Sequence, residues 1–266
     1  MTVTEFNPKP EGSARPAHIC EAEWEARVDL AACYRIFDHL GWIELIYSHI
    51  TQRVPEEKSG ERPAFLINGF GLMHSEVTAS NLLKVDLDGD IIGDSKWELN
   101  PAGYVIHSAI HGAINQAHCI MHTHTTTGIA VSCKQDGLDW NNFYSAMMYG
   151  QVAYHDFEGI TVNKGERERM IESLGDKRTM ILRNHGLLSW GENISEAFVR
   201  LWTLQRACDV QVMAEGIAGK SIELSDEVRA NSVEAAQKFY PEHQSGRRVF
   251  DALKRIIHAK DPSYAT

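Results

Sequence analysis

The sequence predicts an α/β protein whose sheet is at least partly antiparallel. Short apolar runs of strand character alternate along the chain with longer segments of helical periodicity, as in α/β domains. Two signals indicate antiparallel hairpins: a charged loop at 56–62 between two strand-like runs, and an Asp88-Gly89 turn between two others. The hairpins are the reason for expecting antiparallel pairing in an otherwise alternating α/β pattern.

The first part of the chain is predicted to form a helix followed by strands. Glu21–Leu40 has apolar residues at helical spacing, and Gly41 is placed to cap its C-terminus. Strands are predicted at 45–54 and 64–68, where apolar and β-branched residues cluster. Cap-forming residues within 75–83 indicate a short helix there.

The remaining elements continue the alternation. Further strands are predicted at 84–87, 91–92, 119–122 and 179–183, and further helices at 101–116, 128–133 and 195–218. Pro101 suits the first turn of a helix, and Ser195 suits an N-cap position. We expect a flexible N-terminal tail at 1–20, one domain at 21–240, and a partly helical C-terminal tail at 241–266.

The composition restricts the kinds of partner. Lys and Arg number 26 and Asp and Glu 36, which gives a formal net charge of −10. An acidic surface argues against nucleic acid and anionic membranes as partners. The five cysteines form no CxxC pair, and no apolar run approaches the ~20 residues of a membrane span. The scattered cysteines lead us to expect a cytoplasmic protein with reduced thiols.

Two histidines stand at strand spacing in Met121-His122-Thr123-His124. Residues i and i+2 of a strand point to the same face, so both imidazoles are able to bind one metal ion. The alternative is a pair of polar residues at a strand end. A second histidine-bearing strand end, Asn184-His185-Gly186, favours the metal interpretation, with Gly186 permitting a tight turn that presents His185.

A competing pair lies on the predicted helix at 101–116. His107 and His111 are four residues apart and share a helix face, so they also have chelating spacing. Because Ile106 and Ile110 adjoin them, the pair is also placed to edge the core. We expect His107 to act in the second shell, through a hydrogen bond near the metal site, more readily than as a direct ligand.

At these residues the sequence resembles the class II aldolase/adducin family. The similarity runs from about residue 42 to about residue 215, and several blocks occur in the same order and spacing. The blocks are Tyr47-Ser48-His49-Ile50-Thr51, Phe65-Leu66-Ile67-Asn68-Gly69-Phe70-Gly71, Asn100-Pro101-Ala102-Gly103-Tyr104, His107-Ser108-Ala109-Ile110-His111, His122-Thr123-His124 and Asn184-His185-Gly186-Leu187. The Asn-Pro-Ala-Gly block looks closest to the adducin-like branch.

The resemblance implies a fold and a cofactor. The fold would be α/β/α layers around a mostly antiparallel central sheet, commonly assembled as a homotetramer with sites at subunit interfaces. The metal ligands of the family's aldolases correspond here to His122, His124 and His185. The resemblance implies a divalent ion, with zinc expected first and iron or manganese as alternatives, that acts as a Lewis acid.

The sequence also departs from the pattern of the sugar-phosphate aldolases. Those enzymes carry a catalytic acid four positions before a helix histidine, and counting back from His107 gives Gly103. Their phosphate-binding hydroxyl positions correspond to Phe70-Gly71 and Pro101-Ala102, and an asparagine position corresponds to His49. The substrate expected is therefore a hydroxy- or keto-acid without phosphate, with His49, Phe70 and Tyr104 as candidate contacts.

Three functions remain open. The first is a metal-dependent lyase that performs retro-aldol cleavage or decarboxylation, with Tyr144 or His155 supplying protons in place of the missing acid. The tyrosine is implied by the resemblance, because the family's aldolases place one from this region in a neighbouring subunit's site. The second is a non-haem iron oxygenase acting on an aromatic or keto acid. The third is an adducin-like scaffold without catalysis.

Overall fold

A seven-stranded mixed sheet forms the centre of the structure. The computed structural model describes residues 15–55, 62–159, 165–239 and 246–266. The strands are β1 (His49–Arg53), β2 (Ala64–Ile67), β3 (Leu83–Asp86), β4 (Cys119–Thr123), β5 (Val152–His155), β6 (Thr179–Leu182) and β7 (Gly186–Gly191). Their order is β3-β2-β1-β4-β7-β6-β5, and every neighbouring pair is antiparallel except β5 and β6.

Helices cover both faces of this sheet. They are α1 (Glu21–Leu40), α2 (Pro101–Ala113), α3 (Thr126–Ser132), α4 (Phe143–Ala146), α5 (Glu166–Leu174), α6 (Ile194–Glu215), α7 (Asp226–Phe239) and α8 (Arg247–Lys260). The larger hydrophobic core contains residues of α1, α6 and α8, and a second core contains residues of α2 and α5. The predicted α/β/α layers around a mostly antiparallel sheet are confirmed.

Strand alternation determines which side chains face α2. In β4, Cys119 and Met121 belong to the core with α1 and α6, whereas Ile120 belongs to the core with α2. His122, two residues after Ile120, therefore points to the α2 face. His49 of β1 is the antiparallel partner of His122, so the two imidazoles lie on the same face of adjacent strands.

Several local predictions need correction. The helix predicted at 75–83 is limited to a 3-10 helix at His74–Glu76. The cap-forming residues beyond it make a turn instead, in which the Thr78 amide donates to Asn81 Oδ1 at 2.9 Å. The loop predicted at 56–62 lies outside the described residues except for Arg62. The turn after β3 is confirmed, since Gly89 has a φ of 100° and Val85 pairs with Ile91.

Helix α6 begins two residues earlier than predicted. Asn193 is its N-cap, and its Oδ1 accepts from the Glu196 amide at 2.9 Å. Ser195, the predicted N-cap, lies inside the first turn and donates its hydroxyl hydrogen to Asn193 Oδ1 at 2.7 Å. Asparagine and serine are both favoured N-cap residues, and the one that caps α6 is Asn193.

The segment predicted as a C-terminal tail belongs to the packed core. Its helix α8 and the 3-10 helix that follows it place Phe250, Ile257 and Tyr264 in the larger hydrophobic cluster. The buried ammonium group of Lys254 pairs with Asp29 of α1. The regular apolar face of α8 explains this packing, because burying that face against the core removes it from water. Across the described ranges, no helix is both long and apolar enough to cross a bilayer.

Candidate functional site

Three imidazoles converge where β4 ends beside the turn between β6 and β7. The Nε2 atom of His122 lies 2.7 Å from that of His124 and 3.3 Å from that of His185. The Nε2 atoms of His124 and His185 are 3.0 Å apart. Among the described residues, these three form the group of metal-ligating side chains with their ligand atoms within 4.8 Å of one another.

The backbone of the β6–β7 turn brings His185 to this point. A Cβ atom on Gly186 would lie 2.3 Å from the Thr123 carbonyl oxygen and 3.3 Å from His122 Cε1. Only a glycine therefore lets the turn approach the end of β4 so closely. The left-handed residue of the turn is Asn184, with a φ of 55°, and Gly186 permits the turn because it has no side chain.

Hydrogen bonding and burial prepare the cluster for a cation. His122 Nδ1 donates to the Leu187 carbonyl oxygen at 2.9 Å, so the neutral ring carries its lone pair on Nε2. Burial, followed by the proximity of His124 and His185, holds the pKa of His122 well below its usual range. Burial also lowers the pKa of His185 to about 4. Neutral imidazoles are the form that ligates a metal ion, so these rings need lose no proton before they could bind one.

The spacing of the three nitrogen atoms fits a small divalent ion. A tetrahedral zinc ion with Zn–N distances of ~2.0–2.1 Å separates its ligand nitrogens by about 3.3 Å. The distance between the Nε2 atoms of His122 and His185 is 3.3 Å, and the other two are shorter by a few tenths of an ångström. Small side-chain rotations therefore suffice to accommodate the ion.

His49 lies next to this cluster. Its ring centroid is 5.3 Å from that of His122 and 4.4 Å from that of His107 on α2. The close contact with α2 depends on Gly103, because a Cβ there would lie 2.9 Å from His49 Cδ2 and 3.1 Å from its Nε2. The structure therefore brings His49 to the cluster of His122, His124 and His185 and places His107 one ring further away.

Comparison with known proteins identifies the family. Residues 28–212, more than half of the chain, match the family described as the Class II Aldolase and Adducin N-terminal domain. The chain is 43% identical to a solved aldolase II superfamily protein from Pseudomonas syringae, with a TM-score of 0.87 and coverage of 94% of this chain and 98% of that one. The chain belongs to the class II aldolase and adducin family.

Two further relatives of this class II aldolase and adducin domain carry different names. An L-fuculose 1-phosphate aldolase from Glaciozyma antarctica PI12 is 31% identical, with a TM-score of 0.78 and coverage of 94% of this chain and 96% of that one. Alpha-adducin of Rattus norvegicus is 42% identical over 87% of this chain, but the match spans only 32% of alpha-adducin. The family therefore joins enzymes and proteins named as adducins.

Two residues predicted at the site of the class II aldolase domain lie elsewhere. The Tyr104 ring belongs to a small hydrophobic cluster with Phe65 and Val85, and its hydroxyl donates to the Leu87 carbonyl oxygen at 2.9 Å. Tyr104 and His107 lie about one turn apart on α2, and Tyr104 reaches β2 and β3 whereas His107 reaches Thr51 and His49 of β1. Tyr104 is thus a core residue and not a wall of the histidine site.

His155 is also engaged away from the cluster. Its Nδ1 lies 3.0 Å from Ser173 Oγ, and its Nε2 lies 3.4 Å from Glu166 Oε1, both on α5. Because α5 packs on the end of β5, both ring nitrogens are directed at that helix. The prediction of His155 as a proton donor to the histidine site is therefore not supported by its contacts.

Two predicted residues keep an open role. Phe70 is half-buried and pairs through its backbone with Glu98, which precedes the N-cap Asn100 of α2. Tyr144 lies on α4, where its ring packs edge-on against Trp202 at a centroid distance of 5.5 Å. The Arg206 guanidinium lies 5.7 Å from the Tyr144 ring centroid. Neither placement tests a role in catalysis.

Some site residues were missed by the sequence analysis. Phe157 follows β5, is 51% exposed, and has its ring centroid 6.2 Å from that of His185. Its position two residues after His155, itself a candidate site residue, was the available signal. The Leu187 carbonyl that orients His122 had no signal in the sequence, because any residue supplies a carbonyl oxygen.

A cavity of about 560 Å³ lies far from this site and offers no comparable chemistry. It is lined in part by Thr179, at the opposite end of β6 from His185. The Arg178 side chain in its wall pairs with Glu192 at 2.8 Å and Glu196 at 2.6 Å. Because these charges neutralise one another within the wall, the histidine cluster is the stronger candidate site.

Proposed function

We propose that the chain is a divalent-metal-dependent lyase of the class II aldolase type, with the ion held by His122, His124 and His185. The observation that carries the proposal is the convergence of three neutral imidazole nitrogens within 2.7–3.3 Å of one another. Zinc is the first candidate because it favours nitrogen ligands in tetrahedral sites, and iron and manganese are the alternatives. Three protein ligands leave a coordination position for a substrate.

The proposed reaction is retro-aldol cleavage or decarboxylation of a non-phosphorylated hydroxy- or keto-acid. The bound ion would supply Lewis acidity, which withdraws electron density from a substrate oxygen. The protein's contribution begins with orientation. The hydrogen bond from His122 Nδ1 to the Leu187 carbonyl oxygen fixes the ring and directs its Nε2 into the site.

The residues around the cluster support a substrate without a phosphate group. Position 103 is a glycine whose space is filled by the His49 ring, so α2 contributes no acid at that point. Phe70 and Phe157 are proposed as apolar walls, and Phe157 already adjoins His185. An acid of modest size, bound through its carboxylate or hydroxyl to the ion, suits such a pocket.

We propose Tyr144 as the proton donor. A tyrosine hydroxyl carries a hydrogen that it is able to donate to a developing carbanion. On α4 the Tyr144 ring packs edge-on against Trp202 of α6. The proposal includes a homotetramer in which Tyr144 reaches the site of a neighbouring subunit. A cytoplasmic location is part of the same proposal.

The similarity to alpha-adducin favours one alternative, a scaffold domain without catalysis. A second alternative is an iron-dependent oxygenase, since three histidines leave coordination positions for both substrate and O₂. Both alternatives keep the metal site and differ in what it does.

One experiment separates the three functions. Protein purified without chelator is assayed against a panel of hydroxy- and keto-acids, with and without O₂, before and after metal removal and reconstitution. The lyase proposal predicts carbonyl or CO₂ release that needs the metal and is independent of O₂. Turnover that consumes O₂ supports the oxygenase, and no turnover of the panel by metal-loaded protein supports the scaffold.

A further inference from the structure

The segment that carries His124 is tied to helix α6 by two threonine hydroxyls. Thr125, next to His124, donates its hydroxyl hydrogen to Gln205 Oε1 at 2.5 Å. Thr127 donates to Asp209 Oδ1, and Gln205 Nε2 donates to Thr127 Oγ1 at 2.8 Å. Gln205 thus contacts both threonines, and its own residue is only 3% exposed. The end of β4 and the start of α3 are therefore fixed against α6 through one buried amide.

The directions of these hydrogen bonds leave one orientation for the Gln205 amide. The Asp209 carboxylate only accepts, so the Thr127 hydroxyl hydrogen goes to Asp209. A lone pair of Thr127 Oγ1 then accepts from the Gln205 amide nitrogen, which also donates to Asp209 Oδ1 at 2.7 Å. The Arg206 guanidinium holds the carboxylate from its other side, 3.0 Å from Asp209 Oδ2. The amide oxygen of Gln205 is therefore left to accept from Thr125.

The position of Thr125 in α3 makes its choice of partner informative. Thr125 is the N-cap residue of α3, where a threonine hydroxyl usually accepts from an amide of the first turn. Its side chain forms no such capping bond and bonds α6 instead. The hydroxyl therefore contributes to the placement of the segment that follows β4, and not to the capping of α3.

The placement of its backbone matters more for His124 than for His122. The His122 ring is oriented by the hydrogen bond from its Nδ1 to the Leu187 carbonyl oxygen. Within the ranges that the structure describes, His124 has no such bond at Nδ1, and its Nε2 atom lies near those of His122 and His185. The position of this Nε2 atom therefore depends on where the backbone places the ring, and the contact with α6 holds that backbone.

We propose that Gln205 is a positioning residue for His124 and that it raises the affinity of the three-histidine site for its divalent ion. This inference rests on the proposed function, since His124 is one of the three proposed ligands. Without the amide, the segment after β4 loses its link to α6, and the third imidazole is at the ion for a smaller fraction of the time. Partners that orient a metal ligand contribute about 10–100-fold in affinity. Because Gln205 acts through the backbone, we expect the lower end of this range.

Helix α6 supplies a matched control at Gln211. Its Nε2 atom donates to the Gly137 carbonyl oxygen and to Glu215 Oε1, both at 3.1 Å, and its Oε1 atom accepts from the Asp139 amide at 2.8 Å. Gln211 is 4% exposed, so it matches Gln205 in residue type, helix, burial and number of hydrogen bonds. The loop that it holds carries none of the three histidines.

The test measures zinc affinity and stability in the same set of variants. Gln205→Met and Gln211→Met each replace a buried amide by an apolar chain of similar length. Thr125→Val removes the hydroxyl that donates to Gln205, and Thr125→Ser keeps a hydroxyl there. Zinc affinity is measured by competition with a coloured chelator, and the free energy of unfolding of the metal-free protein is measured in urea.

We expect Gln205→Met and Thr125→Val to bind zinc about tenfold more weakly than the wild type, and Thr125→Ser to retain the affinity. Gln211→Met should lose stability much as Gln205→Met does and keep the wild-type zinc affinity. If Gln205→Met does not fold, Thr125→Val decides the result.

Unchanged zinc affinity in Gln205→Met and Thr125→Val would overturn the inference while leaving the proposed function in place. An equal loss of zinc affinity in Gln211→Met would also overturn it, because general destabilisation would then account for the effect. A wild type that binds no zinc would overturn the proposed function, and this inference with it.

Discussion

The imidazole of His49 occupies the space that a side chain at position 103 would need. A Cβ on Gly103 would lie 2.9 Å from Cδ2, 3.0 Å from Cγ and 3.1 Å from Nε2 of that ring. Strand β1 and helix α2 are thus coupled at this point, and a polar group reaches the site from the strand because the helix has no side chain there. The absence of an acidic side chain at position 103 and the presence of His49 therefore depend on each other, because the His49 ring fills the space that such a side chain would need.

This relationship predicts that Gly103→Ala destabilises the protein. The new methyl group meets the ring below van der Waals contact, so we expect a loss of about 1–3 kcal/mol in the free energy of unfolding, measured in urea. The control is Gly112→Ala in the same helix, where a Cβ meets nothing within 4 Å. There we expect a stability gain of less than about 1 kcal/mol.

A double-mutant cycle gives the sharper result. In a His49→Ala background, Gly103→Ala should cost little, because the obstructing ring is absent. Equal costs of Gly103→Ala in both backgrounds would show that the two residues are not coupled.

The second prediction concerns phosphosugars. We expect cleavage of L-fuculose 1-phosphate to be slower by about 10²–10⁴-fold than by an enzyme with a catalytic acid at position 103, since this is the usual value of general acid–base catalysis. The relative named as an L-fuculose 1-phosphate aldolase, at 31% identity, is the matched positive control in the same assay. Comparable turnover by the two proteins would mean that another group replaces the acid.

The sequence predicted the clustering of the three histidines better than their surroundings. His122, His124 and His185 could be found because each follows or ends an apolar strand, and strand ends are recognisable from a single sequence. The contact between His49 and Gly103 could not be found, because it joins β1 to α2 across some fifty residues of chain. Long-range packing of this kind leaves no local pattern.

Side-chain direction was the other source of error. Tyr104 and His155 were both predicted at the site from their positions in the sequence. In the structure the Tyr104 hydroxyl donates to the Leu87 carbonyl oxygen, and the His155 ring faces α5. One turn along α2 changes the strand that a side chain reaches, since Tyr104 packs with residues of β2 and β3 and His107 bonds Thr51 of β1. The sheet layers were predictable because they follow from apolar periodicity, whereas these orientations depend on which helix covers each strand end.

The third prediction tests Tyr144. Tyr144→Phe keeps the ring against Trp202 and removes only the hydroxyl, so metal content and tetramer should persist. If Tyr144 donates the proton, turnover of the acid substrate should fall by about 10²–10⁴-fold in steady-state assays. Tyr149→Phe, which removes a hydroxyl 3.5 Å from Asp226, is the control and should retain full turnover. Equal turnover of the two variants would leave Tyr144 as a packing residue.

The fourth prediction concerns pH and stability. Burial lowers the pKa of His74 to about 4 and that of His111 to about 3, against an ordinary value of 6.5. Below pH 6.5 the unfolded chain therefore binds protons that the folded chain excludes, so the free energy of unfolding falls as pH decreases towards these values. Each such histidine contributes about 1.4 kcal/mol per pH unit in this window.

Urea unfolding of metal-free protein at pH 7.5, 6.0 and 5.0 measures this dependence. His74→Gln should make the decline shallower by the amount expected for one proton. Stability that is equal at pH 7.5 and pH 5.0 would mean that these histidines are not buried in neutral form.

The central claim is that His122, His124 and His185 hold one divalent ion. The most direct measurement is the metal content of protein purified without chelator, compared with His122→Ala, His124→Ala and His185→Ala and with His118→Ala as the exposed control. The account predicts about one ion per chain in the wild type and the control, with a large loss in each of the three variants, because two imidazoles bind a metal much more weakly than three. Full metal content in any one of the three variants, or none in the wild type after incubation with zinc, would contradict it.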